Sequence, residues 1–363
     1  MTTESDLPAT GRRADRRGLH WGPIGVAVAG VATVALTAIL VYPLTQPGHR
    51  TSADGLTPEQ RRSAERAGLP GSGVSPAPSL PPSPSPSVSA GASPSVAPRV
   101  ASRSGGKPVA ANTGVIAGTT LTVLNGDQTL SADNAVIANA DIRGYVRIIG
   151  KNVTIRNSIV RGGAARCPAA VIQVEGSAVI EDVEIAPASP NACLDGVWAG
   201  ATTLTRVNIH GTVDGVKAGN DVVVQDSWIH DLTYYRTGAP GGGETVNDAV
   251  DTRGRRRVTL RHNVLHPGAN ANAAYQVTQE GGASGDVRVE NNWLDGGHCV
   301  LNFAHRGGGP TPMTGIAVVN NRFGRSSMFV CPILISTQTT LSANSGNVWD
   351  DTGAAIPAPD RHD

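Results

Sequence analysis

The stretch that decides the fold is TVDGVKAGNDVVVQDSWIHDL, residues 212–232. Its segment VVVQDSWI (222–229) follows a pattern: apolar, any, apolar, any, Asn/Asp, any, any, apolar. The pattern returns in VTIRNSIV (153–160), AVIEDVEI (178–185), VRVENNWL (287–294) and IAVVNNRF (316–323). Looser copies are AVIANADI (135–142), TTLTRVNI (202–209), VTLRHNVL (258–265) and LSANSGNV (341–348), nine in all and 18 to 36 residues apart. Alternation with period two marks strands, because successive side chains point to opposite faces. A strand recurring every twenty-odd residues, with no helical stretch between copies, implies a solenoid of stacked β coils.

The fifth position of the pattern reads Asn, Asn, Asp, Arg, Asp, His, Asn, Asn, Ser down the stack. In-register parallel stacking sets such side chains about 4.8 Å apart, where amides can bond from coil to coil. An amide ladder is therefore expected there.

A second register lies between the copies: CLDGVWAG (193–200), TVDGVKAG (212–219), VNDAVDTRG (246–254), AAYQVTQE (273–280) and CVLNFAHR (299–306). Aligned on the central apolar residue, these segments place Trp198, Lys217, Asp251, Gln276 and Asn302 in one outward column. A polar column on consecutive coils is a groove floor.

The flanks are of a different kind. Residues 1–21 are polar and carry Arg12, Arg13, Arg16 and Arg17, whereas 22–44 hold no charged residue. That length suits a bilayer crossing of about 20 apolar residues. The preceding arginines set the N-terminus in the cytoplasm and the remainder outside, in a single-pass membrane protein. A cleaved signal peptide is the competing reading. Residues 45–111 form a Pro/Ser/Ala-rich linker with too little apolar surface to offset the entropy of ordering. The β domain is expected over 112–352, with a tail at 353–363. A formal charge of +1, 16% charged residues and the absence of a basic face interleaved with aromatics exclude nucleic acid as a partner. A monomer is expected.

Residues 114–350, about two thirds of the chain, resemble the right-handed parallel β-helix proteins of the pectate-lyase-like superfamily. The likeness is carried by DGVKAGNDVVVQDSWIHDL, VRVENNWLDGG and GNVWDDTG. It implies an all-β, right-handed parallel β-helix. It is loose on activity, since that fold hosts lyases, hydrolases, epimerases and adhesins.

All four cysteines lie on the presumed outside, where an even count suggests bridges. Cys167 and Cys193, and likewise Cys299 and Cys331, are about one coil apart, so stacking can bring each pair into bonding range. Free buried thiols are the other reading.

The longest interval between copies holds the loop TYYRTGAPGGGET and then VNDAVDTRGRRR. A long loop on a rigid scaffold is a usual seat of function. Around it stand His230, Asp248, Asp251 and Arg253, with Asp214 and Lys217 one coil earlier and Gln276 one coil later.

Two polysaccharide chemistries fit. Hydrolysis needs a carboxylic acid and a carboxylate base, about 6.5–9.5 Å apart in inverting enzymes. Elimination needs a base for the proton beside a uronate carboxylate and a cation to neutralise that carboxylate. For elimination Lys217 or Arg253 serves as base or neutraliser, His230 shuttles protons, and Asp214, Asp248 and Asp251 are candidate Ca²⁺ ligands. Trp198, Gln276 and Asn302 are candidate contacts to a cell-wall glycan or other polysaccharide. The order WIHD at 228–231 departs from the WIDH order of pectate lyases, so substrate identity does not carry over. The bland alternative is that Asp214 and Asp248 cap backbone N–H groups. A non-catalytic glycan-binding or surface-display module uses the same groove.

Overall fold

The structure, a computed structural model, describes residues 105–268, 270–303 and 312–362. The expected cytoplasmic segment, membrane span and most of the linker lie outside the described residues. Those described contain strands and turns and no helix. They form a 17-stranded and a 10-stranded sheet. Pairing advances one coil at a time and is parallel: Val222 lies opposite Thr202 on one side and Val258 on the other. The domain is thus all-β with parallel strands stacked in sheets, an arrangement compatible with a parallel β-helix.

The repeat explains the stacking residue by residue. Ile155, Ile180, Leu204, Val224, Leu260, Val289 and Val318, at the third position, all have zero exposure. So do Val160, Ile185, Ile209, Ile229, Leu265 and Phe323 at the eighth. Burying each such side chain contributes about 1.5–3 kcal/mol.

The fifth position bonds from coil to coil, as expected, at three steps: Asn157 Nδ2 donates to Asn139 Oδ1 at 2.6 Å, Arg206 Nε to Asp182 Oδ1 at 2.8 Å, and His262 Nδ1 lies 2.7 Å from Asp226 Oδ1. It has a backbone role as well. Asn139, Asn157, Asp182, Arg206, Asp226, His262, Asn291 and Asn320 all have positive φ, between 47° and 58°. Asn and Asp recur there because they tolerate left-handed backbone better than other non-glycine residues. On most coils the kink divides the segment in two, as between Val222–Gln225 and Trp228–His230, while Val153–Val160 and Ser177–Ile185 run through it as single strands. The kink turns the sixth residue inward, and over the later coils a second, longer amide ladder runs through the sixth position, from Asn263 to Asn347. Asn263 Nδ2 donates to Asn292 Oδ1, Asn292 to Asn321, and Asn321 to Asn347, each at 3.0 Å. Each amide also donates to a buried carbonyl, such as Asn263 Nδ2 to Val224 O at 2.9 Å. No buried amide in this run is left unpaired, as interiors require.

The final copy is shifted by one residue from the sequence alignment. Ala317 pairs with Ala343 and Val319 with Ser345, so the copy starts at Ser342 and its fifth residue is Gly346. Glycine takes the left-handed kink there, at φ 68°. The stack also continues into the segment read as a tail, where Asp360–Arg361 pairs with Leu334 and Ile335.

In the 10-stranded sheet the expected column is present. Trp198 lies opposite Lys217, Lys217 opposite Asp251, Asp251 opposite Gln276, and Gln276 opposite Asn302. The column begins earlier than expected, with Arg147 opposite Gln173 and Gln173 opposite Trp198. Both one-coil disulfides, Cys167–Cys193 and Cys299–Cys331, are formed.

Candidate functional site

The site begins with a packing constraint. A Cβ on Gly215 would lie 2.5 Å from both Ala249 O and Ile229 Cγ2, so neighbouring coils close up only around glycine. Gly196 is similarly tight, 2.4 Å from Gly215 O. The residue before each glycine is an aspartate, Asp195 and Asp214, and coil stacking sets Asp248, which precedes Ala249, in the same column. Asp214 N–H donates to Asp195 Oδ1 at 3.3 Å, and Asp248 N–H donates to Asp214 Oδ1 at 2.8 Å. All three are at most 3% exposed. The capping role is therefore real for Asp195 and Asp214 and leaves the second oxygen of each for other work, whereas Asp248 Oδ1 accepts from the Asn272 side chain.

Asp195 is the member that the sequence reading missed. Its signal was present in the LDGV, VDGV and NDAV alignment at 194–197, 213–216 and 247–250.

Cations from the outward column close over these carboxyls. Lys217 Nζ donates to Asp195 Oδ2 at 2.6 Å and lies 3.2 Å from Asp214 Oδ2. Trp198 Nε1 donates to the same Asp195 oxygen at 2.6 Å, which fixes the indole. Arg253 Nε donates to Asp251 Oδ2 at 2.5 Å, and its Nη1 to Glu280 at 3.2 Å. Asp251 Oδ1 and Asp248 Oδ2 are buried without a hydrogen-bond partner.

Burial and crowding set the acidities. Burial pushes Asp214 up to about 7, with Asp195 adding and Lys217 opposing. Asp248 is held well above the ordinary carboxyl range by burial and then by Asp214 and Asp251. Burial also raises Asp251, against the pull of Arg253. Burial acts to lower Lys217, but the Asp214 and Asp195 charges outweigh it and raise its pKa. Lys217 is therefore a lasting cation and a poor base at neutral pH.

The cluster lies on the floor of an open groove. One depression of 530 Å³ is lined by Gln173, Trp198, Lys217, Asp251, Arg253 and Arg255 among others. A second, of 380 Å³, takes in Asp195, Asp214, Lys217 and Arg253. Its wall is the loop expected from the sequence, through Ala239, Pro240, Gly242 and Glu244 to Val246. The loop is pinched at its neck, where Thr245 N–H donates to Tyr235 O and Tyr235 N–H to Thr245 Oγ1, both at 2.9 Å. A third depression, of 280 Å³, joins Arg147 and Arg166 to Gln173 and Trp198. Shared side chains make these one groove along the sheet.

Gln276 and Asn302 sit in the column farther along, each 7% exposed. Asn272 Nδ2 bonds both Gln276 Oε1 and Asp248 Oδ1, the latter at 2.9 Å.

His230 does not join the cluster. It belongs to the other sheet, in Trp228–His230, because the chain leaves the groove sheet at the corner between Ala218 and Val222. Its ring stacks on Trp228 at 3.4 Å, with Nε2 2.9 Å from Asn208 Oδ1 and Nδ1 2.7 Å from Asp231 Oδ2. Among the described residues no group of three or more His, Cys, Asp or Glu is arranged to hold a metal ion. At Asp214 and Asp251 the facing cations are Lys217 and Arg253, not an arrangement of free carboxylates.

No protein-family model matches the chain, and no curated protein or solved structure matches it either. What the geometry defines is a class: an all-β stack of parallel strands with a polar groove, compatible with carbohydrate-active β-helix proteins.

Proposed function

We propose that the chain is a cell-surface enzyme that cleaves acidic polysaccharide by β-elimination, anchored by residues 22–44 and lifted from the membrane by its linker. The observation that carries this reading is the placement of Lys217 and Arg253 beside the raised carboxyls of Asp214 and Asp251 on a groove floor. A glycan strand lies along the column with a uronate carboxylate against the two cations. Neutralising that carboxylate acidifies the adjacent C–H. Arg253 exchanges Asp251 for the substrate carboxylate and frees Asp251 as base; burial makes it a stronger base than an ordinary aspartate. Asp251 takes the proton, the electron pair forms the carbon–carbon double bond, and the glycosidic C–O bond breaks. Asp214, with a pKa near neutrality, protonates the departing oxygen.

Hydrolysis is the second reading, favoured by carboxyls with raised pKa values on neighbouring coils, an acid and base set of the kind glycosidases use. One experiment separates the readings. The full chain is incubated with pectate, alginate and glycosaminoglycans, with calcium or with a chelator, and unsaturated-uronate absorbance is followed beside new reducing ends. Unsaturated product that disappears in Asp251→Asn is expected. A requirement for calcium would restore Asp214, Asp248 and Asp251 as metal ligands. Reducing ends without unsaturation mean hydrolysis, and retained binding without product means a glycan-binding module. Neither binding nor product from any polymer sinks the proposal.

A further inference from the structure

On the far side of the groove's loop wall is a depression of 240 Å³ lined by Tyr234, Glu244, Asn270, Asn272, His298 and Met328. Glu244, Thr245 and Val246 line both this depression and the one over Asp214, so the two share a wall. Beside it the turn Met328–Phe329–Val330 exposes three apolar side chains in a row, at 56%, 67% and 49%. Val246, 52% exposed, adds a fourth on the shared wall.

This turn is held in place at a conformational cost. Val330 has φ 50°, and a β-branched residue in left-handed backbone is a genuine outlier. Its surroundings impose it. Met328 N–H donates to Gly297 O at 2.8 Å, Phe329 N–H to His298 O at 3.2 Å, and Val330 N–H to Ser327 O at 3.0 Å. The next residue, Cys331, is bonded to Cys299 on the coil before. Strain of this kind, about 1–3 kcal/mol, persists where the surrounding structure over-determines it, and it clusters at binding sites. Here it presents an aromatic ring to solvent, propped by His298 at 5.8 Å.

We propose that this turn is a remote sugar-binding subsite, in which Phe329 receives the apolar C–H face of a pyranose ring. The ring's hydroxyls are met by Asn270, Asn272 and Glu244. The inference rests on the groove reading and extends it. An apolar platform flanked by a few convergent polar groups matches the chemistry of a sugar, which carries both kinds of surface. Continuity with the groove decides for the glycan over other occupants. From Lys217 the stack advances through Asp251, Gln276 and Asn302 to the strand that starts at Cys331. Four strand spacings make roughly 19 Å. A long strand lying over the catalytic floor therefore reaches the platform, and a trisaccharide bound at Lys217 falls short of it.

The test uses the full chain and polygalacturonate, alginate and hyaluronan, each as long polymer and as trisaccharide. Binding is measured for wild type, Phe329→Ala, Phe329→Trp and Lys217→Gln, with thermal unfolding as the folding control. Phe329→Ala is expected to weaken polymer binding by about tenfold and leave trisaccharide binding unchanged, and Phe329→Trp to restore it. Polymer affinity unchanged in Phe329→Ala but reduced in Lys217→Gln overturns the subsite and leaves the groove. No binding of any polymer by wild type overturns both. A change in self-association rather than in glycan binding assigns the patch to a second copy and overturns the subsite.

Discussion

Lys217 reaches back one coil to form a 2.6 Å ion pair with Asp195, whose other oxygen caps the backbone of Asp214. The lysine side chain is 38% exposed while that of Asp195 is 4% exposed, so a buried carboxylate depends on a cation that also faces the groove. The stability of a buried carboxylate and the charge of the groove thus meet at one ammonium group.

Lys217→Met leaves Asp195 and Asp214 without their cation. Removing one partner of a buried pair costs about 3–5 kcal/mol, and the lysine's partial exposure reduces this to about 2–3 kcal/mol. Urea unfolding at pH 8 reads the loss. A change below about 0.5 kcal/mol would show an ordinary surface pair.

The stability of the domain should fall as pH rises from about 4 to about 7. Asp214 binds its proton more tightly folded than unfolded, because its pKa moves from 3.8 up to about 7. In that window the folded state holds a proton that the unfolded chain has released, so stability is lost as pH rises and levels off above 7. Asp248 and Asp251 act in the same direction. His230 opposes them, since burial lowers its pKa below 6.5 and acid then favours the unfolded chain. Asp214→Asn should flatten the decline, as measured by thermal midpoints between pH 4 and pH 8. A slope identical to wild type counts against the raised acidity constant.

Adjacent asparagines in one repeat should answer differently to substitution. Asn292→Ala removes a fully buried link and leaves Leu260 O and the Asn263 amide short of partners. A loss of about 2–4 kcal/mol is expected. Asn291 is exposed at φ 58°, so Asn291→Gly should be nearly silent and Asn291→Val should cost about 1–2 kcal/mol. Chemical denaturation midpoints compare the three variants.

Each disulfide closes a short loop, with 26 residues separating Cys167 from Cys193 and 32 separating Cys299 from Cys331. Chain-entropy arguments give about 3–4 kcal/mol for each. Replacing either pair with serine should lower the thermal midpoint, and the Cys299/Cys331 pair should also loosen the Phe329 turn. Hydrogen exchange at Phe329 and Val330 measures the second effect.

The coil period, the groove column and both disulfide pairings were legible because each follows from counting residues once the strands stack. What escaped depends on backbone conformation that no side-chain pattern states. The Asn/Asp column bonds from coil to coil in part but also marks left-handed kinks, and those kinks turn the next residue inward, where a second amide ladder runs. Gly346 fills the same role without an amide, which hid the true register of the last copy. Asp195 is less conspicuous because its coil carries Trp198 where the next carries Lys217, although the aligned LDGV and VDGV segments hold the shared aspartate. His230 is 13 residues from Lys217 in sequence, yet the corner between them places it on another sheet.

The coil from Val222 to Val258 is 36 residues long, the coil before it 20, and both pair in the same register. Most of the extra length is absorbed by the segment that bulges out as the groove wall. That segment is consequently an exchangeable cassette. Grafting a different wall between Tyr235 and Thr245 would reshape the groove while the scaffold beneath keeps its alignment.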